Sequence, residues 1–337
     1  MLERILVPLD GFSLTKDVLS HSIALARAFN GHVTLLHVLE PDNRAYDAVD
    51  PLSWALRKVE MESNLKEVTG HLQKCGVSVD YVLLEGPAAV RIIEYAHHDE
   101  SDLIILSSHQ QDIMSGWSIS NVAQKVVQRA HTSTMIVRAG QYSDSSPFAT
   151  PYRRILVPLD GSWRAESGLP WAQNLACCYN AKLILAHVVM QPYLFHRSLP
   201  TAKDTRLVNQ LVEQNLAEAR AYLKRLQSRM PVKSETHVMV SNNVENAFRE
   251  LVERHQIDLV LLSAHGHSSN TQRPYGSQAL NFILYGNTPL LIKQDLLPHQ
   301  IELTQAELAA KDLGSAASAD RFIRRPGFLD MSFRPPL

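Results

Sequence analysis

The residues of this 337-residue chain best suited to chemistry are two serines and two glycines late in the sequence. They read Ser263-x2-Gly266-x9-Gly276-Ser277 and follow the apolar run Leu259-Val-Leu-Leu262. Glycine lets backbone N–H groups come close to the oxygens of an anion, and a helix beginning just beyond adds favourable polarity. Ser277 is placed to cap that helix and to donate to a phosphate. A second set, Pro158-Leu159-Asp160-Gly161-Ser162, ends another apolar run. Asp160 there, like Asp10 earlier in the chain, begins a helix and reads as an N-cap, a ligand contact, or both. The chemistry these residues suggest is phosphate binding.

Turnover has no nominee. The chain has no G-x4-G-K-S/T loop, no serine–histidine–aspartate spacing and no pair of acids placed for general acid–base work. It carries Asp-Gly-Phe-Ser and Asp-Gly-Ser-Trp where adenylate-forming and ATP-pyrophosphatase enzymes of related fold usually carry a Ser-Gly-Gly type loop. His265-x-His267 has no neighbouring Cys or acid to complete a metal set, so no metal site is expected. Cys75, Cys177 and Cys178 make neither a disulfide framework nor a metal spacing and read as free thiols in a reducing cytoplasm.

The elements that must hold these residues come in two copies. RILVPLDG occurs at Arg4–Gly11 and again 150 residues later at Arg154–Gly161. His37-Val38 recurs as His187-Val188, Ser101–His109 as Ile257–His265, and Met135–Val137 as Leu290–Ile292. Each copy reads strand, helix, strand, helix, strand, helix, strand, helix, strand, with continuous apolar strands of the kind found in parallel sheets covered on both faces. Strands are expected near Arg4–Leu9, Val33–Leu39, Val77–Leu84, Leu103–Ser107 and Met135–Val137. In the second copy they are expected near Ile155–Leu159, Leu183–Val189, Lys233–Val240, Leu259–Ser263 and Leu290–Ile292. Gly31 is expected to stop the first helix, Pro87 to start the third. The fold class is α/β, two tandem doubly wound five-stranded parallel sheets of Rossmann-like type. If the first and fourth strands are neighbours, the Asp160 and Gly266 loops line one crevice at the switch point. The expected division is 1–140, a polar two-proline linker at 141–152, 153–297, and a tail at 298–337. The tail reads as a short helix, Ile301–Leu313, followed by Arg321, Arg324, Arg325 and Arg334 among Phe322, Phe328 and Phe333.

The opening strand with its Asp-Gly, the His-Val closing the second strand, and the glycine-spaced loop after the fourth together resemble the universal stress protein family. The resemblance covers about Leu2–Arg138 and Arg153–Lys293 and implies an adenine nucleotide alpha hydrolase-like fold. ATP-binding members carry Gly-x2-Gly-x9-Gly-Ser/Thr, and here the spacing is kept with Ser263 in place of the first glycine. By that resemblance Gly266, Gly276 and Ser277 hold the phosphates of ATP, with Mg2+ as its companion ion. Asp160 and the backbone of Val188 meet the adenosine end, and Pro158 shapes the wall. With Ser263 and His265 these make up the candidate nucleotide site. In the first copy the three glycine positions become Ser107, Gln110 and Ser120, and Ser277 becomes Asn121, so a degenerate site is expected there.

Composition narrows the partners. A net charge of −1, from 33 basic and 34 acidic residues, argues against nucleic acid as the main partner, which would need a clustered basic surface. No run is long and apolar enough for a membrane span, and no signal peptide is read at the N-terminus. His37 and His187 read as structural residues in equivalent places, and His97-His98 as the last turn of a helix. The fifth strand of each copy is expected at a sheet margin, where an apolar edge invites pairing. By the same resemblance the two copies pair with each other inside one chain, with dimerisation of chains left open. The expected function is a cytoplasmic regulator of the universal stress type that binds ATP in the second copy, hydrolyses it slowly at most, and signals through an unknown protein partner. The alternative is a scaffold with both nucleotide sites retired.

Overall fold

The computed structural model describes residues 2–9, 15–40, 51–108, 120–138, 152–192, 201–267, 274–296 and 325–326. Asp10, Gly11, His109, Gln110, the linker from 141 to 151 and nearly all of the tail lie outside them. The chain packs as two compact units, one running to Ile105 and including the short strand at 325–326, the other spanning Leu106–Glu302.

In the first unit β1 (Arg4–Pro8), α1 (Thr15–Phe29), β2 (His32–Leu39), α2 (Pro51–Lys74), β3 (Val79–Glu85) and α3 (Ala88–His98) follow one another, and β4 (Leu103–Ser108) starts in it and ends in the second. β1 lies between β2 and β4, β2 pairs with β3, and all these pairings are parallel. The expected strands are found within a residue or two. The centre of the sheet is apolar on both faces: Leu6, Val7, Val33, Leu35, Leu36, Leu103, Ile104 and Ile105 are all fully buried. Each such side chain withdrawn from water stabilises the fold by about 1.5–3 kcal/mol.

The second unit begins with α4 (Asn121–Arg129) and β5 (Ser133–Arg138) from the end of the first repeat. The second repeat follows as β6 (Arg154–Pro158), α5 (Trp163–Glu166), α6 (Leu169–Tyr179), β7 (Lys182–Val189), α7 (Ala202–Ser228), β8 (Ser234–Val240), α8 (Val244–His255), β9 (Leu259–Ser263), α9 (Ser277–Tyr285) and β10 (Leu290–Lys293). β6 sits between β7 and β9, so the order reverses at β6, and the ends of β6 and β9 open on one crevice. β8 pairs with β7 and β10 with β9, again in parallel. The two-residue β11 (Arg325–Pro326) pairs antiparallel with β3 of the first unit.

Neither β5 nor β10 is left as a free margin. They pair antiparallel, Leu290 with Ile136 and Ile292 with Thr134, so the last strand of one repeat completes the edge of the last strand of the other. Side chains reinforce the pairing. Arg138 donates through Nη2 to the carbonyls of Phe282 (3.0 Å) and Ile283 (2.9 Å) in the last turn of α9, where a cation is favoured. Burial pulls the Arg138 guanidinium down to about 10, which leaves it charged at neutral pH. Tyr275 donates to Thr134 Oγ1 at 3.1 Å, and the Gln294 N–H to Ser133 Oγ at 3.1 Å.

Duplicated residues do duplicated work. Asp102 accepts the N–H groups of Glu3 and Arg4, and Asp258 those of Arg153 and Arg154, pinning the entry to the first strand of each repeat. Asn30 and Asn180 end equivalent helices in the left-handed region, at φ 53° and 50°. Asn30 is therefore the residue that stops α1, in place of Gly31. Gly31 instead lies close over the Leu2 carbonyl and the Ile5 side chain. Pro87 stands one residue ahead of α3, at the cap. The copies differ after their first strands: α1 is continuous, whereas the second repeat breaks into α5 and α6 at Ser167-Gly168, before Pro170. A Cβ on Gly168 would stand 2.9 Å from Leu261 Cδ2, so the chain passes β9 there without a side chain.

Candidate functional site

The site is built on the ends of β6, β7 and β9 and the start of α9. β6 ends at the buried Pro158, and Leu159 follows with its N–H bonded to the Ala186 carbonyl at 2.8 Å. The Leu159 carbonyl accepts from His187 Nδ1 at 2.8 Å. His37 makes the same bond to the Leu9 carbonyl, at the same length. The histidine closing the second strand thus braces the loop after the first strand in both repeats. Its ring is structural, as expected.

Beyond Leu159 the chain turns through Gly161 at φ 85°, a conformation that strains any L-residue. The turn is fixed by Asp160, whose Oδ1 accepts from the Ser162 N–H (2.9 Å) and Ser162 hydroxyl (2.6 Å). The cap of α5 is Ser162, which accepts the Ala165 N–H. Asp160 stands two residues too early for that role, because the turn at Gly161 separates it from the helix. Its other oxygen, Oδ2, crosses the crevice and accepts the His267 N–H at 2.6 Å. Burial pushes the Asp160 carboxyl up, but the hydrogen bonds from Ser162 and His267 outweigh it and hold the group below its ordinary value. A carboxylate anion is therefore seated against the glycine loop. Gly266 is what lets it in, since a Cβ there would collide with Asp160 Oδ2.

At the far side of the loop Gly276 packs on backbone. Its N–H donates to the Ala264 carbonyl at 2.8 Å, and a Cβ would lie 3.4 Å from that oxygen. Gly276, not Ser277, occupies the cap position of α9, and having no side chain it provides no capping bond. Ser277 is the first helical residue, exposed to solvent. The equivalent cap in the first repeat is Ser120, whose hydroxyl accepts the Ala123 N–H at 3.2 Å.

Ser263 and His265 face inward. Ser263 is buried, and its hydroxyl meets that of Ser167 at 2.9 Å, so its side chain is spent between β9 and the α5–α6 break. His265 has no exposed side-chain surface; its Nδ1 donates to Asp295 Oδ1 at 2.8 Å, and its N–H donates to the same oxygen at 3.0 Å. Arg164 Nε lies 3.7 Å from Asp295 Oδ2. Sequence reasoning missed this arrangement: Asp295 stands 30 residues beyond His265, where the repeat ends, and no spacing rule links them.

Val188 is half-buried beside a cleft of about 860 Å³, large enough for a nucleoside. Gly161, His187, Val188 and Met190 form one side; Tyr222 and Arg225 of α7 form the other. Tyr222 donates to Glu166 Oε1 at 2.9 Å, and burial together with Glu166 raises its phenol above the ordinary range. The α7 residues were also missed, because their amphipathic spacing reads only as helix. The signal available was the polar stripe at helical spacing formed by Asn215, Glu218, Tyr222 and Arg225. The structure thus brings Asp160, Gly266 and the start of α9 together and leaves Ser263 and the His265 ring turned into the core.

Comparison with known proteins agrees with this architecture. The universal stress protein family model matches residues 1–138 and 151–293, and the chain belongs to that family. A Coxiella burnetii universal stress protein A homologue is 32% identical over 138 residues, covering 40% of this chain and 90% of its own. A universal stress protein of Methanocaldococcus jannaschii is 24% identical over 145 residues, covering 41% and 83%. Among solved structures, a universal stress protein from Archaeoglobus fulgidus has the same fold at TM-score 0.60 and 14% identity, covering 86% of this chain and 98% of its own. No helix among the described residues is long and apolar enough to cross a membrane.

Proposed function

We propose that this member of the universal stress protein family is a cytoplasmic regulator that binds ATP in its second repeat and passes occupancy on through contacts with a protein partner. The observation that carries the reading is the bare start of α9. Gly276 leaves that helix without a side-chain cap and packs on Ala264, Gly266 packs on Asp160, and Gly161 beside Asp160 lines a cleft of nucleoside size. Helix N-termini and glycine-lined backbone attract anions. Gly266, the His267 N–H, Gly276 and Ser277 would hold the phosphates, while Val188 and the cleft walled by Tyr222 and Arg225 would take the nucleoside. Asp160 already supplies one anion at this loop, so Mg2+, which favours carboxylate and phosphate oxygens, would offset its repulsion of the phosphates.

A second reading, a scaffold that binds no nucleotide, draws on one observation: the His267 N–H already has an anionic partner in Asp160. Thermal unfolding of the wild type and of Gly276→Val, with and without Mg-ATP, separates the two. Ligand at 100 times its dissociation constant adds about 2.7 kcal/mol, which for a domain of this size is a rise of roughly 5–10 °C. A rise in the wild type that is lost in the variant supports the nucleotide reading. No rise at any ATP concentration would leave the scaffold standing.

A further inference from the structure

On the far side of the second unit from the glycine loop's strand ends, a trio of side chains has no part in the site above. Glu235 and His237 project from the same face of β8, two residues apart, and His255 is the last residue of α8. β8 pairs with β7 on one side and, among the described residues, with no strand on the other. Glu235 Oε1 lies 3.2 Å from His237 Nε2 and 3.4 Å from His255 Nδ1. The three candidate ligand atoms all fall within 4.8 Å of one another. Ligands held tetrahedrally at about 2.0–2.2 Å from zinc stand roughly 3.3–3.5 Å apart. The two contacts to Glu235 match that spacing.

We propose that Glu235, His237 and His255 form a binding site for a divalent transition metal, with Zn2+ the ion whose ligand chemistry and geometry fit. Imidazole and carboxylate suit Zn2+ and leave a fourth position for water or an outside ligand. The surroundings are arranged to support it. Lys182 pairs with the other oxygen of Glu235 and so orients the carboxylate. Hydrogen bonds from Lys182 and His237 overcome the upward push of burial and keep Glu235 below the ordinary carboxyl value. Burial and the neighbouring His237 hold His255 below the usual histidine value. The backbone of His255 is tied down by Arg154, which donates to its carbonyl. A cation at the C-terminal end of α8 is also favoured by the helix dipole. A bound ion would clasp the edge strand to the end of the helix.

The test is titration of the metal-free full-length protein with ZnCl2 by calorimetry, alongside the visible spectrum of the Co2+-loaded protein. The expected result is one ion per chain at micromolar or tighter affinity, with a four-coordinate Co2+ spectrum. His237→Ala and His255→Ala should each weaken binding by roughly tenfold or more. His237→Gln retains side-chain bulk without the ring nitrogen and should do the same, while His71→Ala on the exposed face of α2 should have no effect. Unchanged unfolding midpoints of the metal-free variants would establish that they are folded. Lack of stoichiometric Zn2+ uptake by the wild type overturns the proposal. So does uptake undiminished in both alanine variants, which would place the ion elsewhere, for example on the exposed thiols of Cys177 and Cys178.

Discussion

The starts of α4 and α9 are the same position in two copies of one domain, yet they present opposite surfaces to an anion. Ser120 folds its own hydroxyl over the first turn of α4 and bonds the Ala123 N–H. Gly276 leaves the first turn of α9 without such a bond and brings it against the Ala264 carbonyl of the glycine loop. One repeat stabilises its helix internally; the other leaves the helix end available. The strand scaffolding beneath is unchanged, since His37 and His187 brace the preceding loops with identical bonds. Divergence between duplicated domains can therefore sit in a handful of loop residues, while the residues that hold the sheet stay fixed.

The largest expected effect breaks a feature described only in the second repeat. Asp295 is a buried carboxylate bonded to His265 through both ring and backbone, and the corresponding residue of the first repeat is Gly140, outside the described residues. Removing one partner of a buried pair costs about 3–5 kcal/mol. Asp295→Ala should lower the unfolding midpoint by roughly 10 °C, measured by calorimetry.

Next comes a feature of the first repeat. His21 is fully buried where the second repeat carries Trp171, and burial lowers its pKa to about 3. With the folded value below the unfolded one, near 6.5, the stability it contributes is present above about pH 6.5 and is lost as pH falls through the window toward 3. The gap corresponds to at most about 5 kcal/mol. Equilibrium unfolding across pH 7 to 4 should show a shallower loss of stability in His21→Leu than in the wild type.

The smallest effects sharpen the helix-cap comparison itself. Ser120→Ala should cost about 1 kcal/mol in urea unfolding. The reciprocal change, Gly276→Ser, should add a few tenths of a kcal/mol without nucleotide and reduce the Mg-ATP stabilisation, because a side chain then competes for the N–H groups of α9. An Mg-ATP shift unaltered by Gly276→Ser would remove the open helix end from the explanation.

Much of this molecule was legible in its residues. Apolar runs bounded by glycine, proline and polar turns mark the strands, because burial on both faces admits little else, and the repeated RILVPLDG and His-Val segments establish the duplication. The strand ends drew attention to Gly266 and Gly276, and the spacing they share with the family motif marked them as the glycine loop. The union of β5 with β10 was anticipated from the family resemblance and the edge argument, but its register and the reach of Arg138 to the α9 carbonyls came from packing. The caps were misread by a residue or two. Ser162, Gly276 and Asn30 take the roles suggested for Asp160, Ser277 and Gly31, because a turn's dihedral angles decide which residue stands at a helix end. Local propensity and periodicity are properties of neighbours in sequence, and the sequence by itself determined what depends on them: strand order along the chain, the repeat and the loop spacing. Only the tertiary structure brought Asp160 to His267, Asp295 to His265, and Glu235 and His237 to His255, since contacts between residues 18 to 107 positions apart are created by closing the sheet.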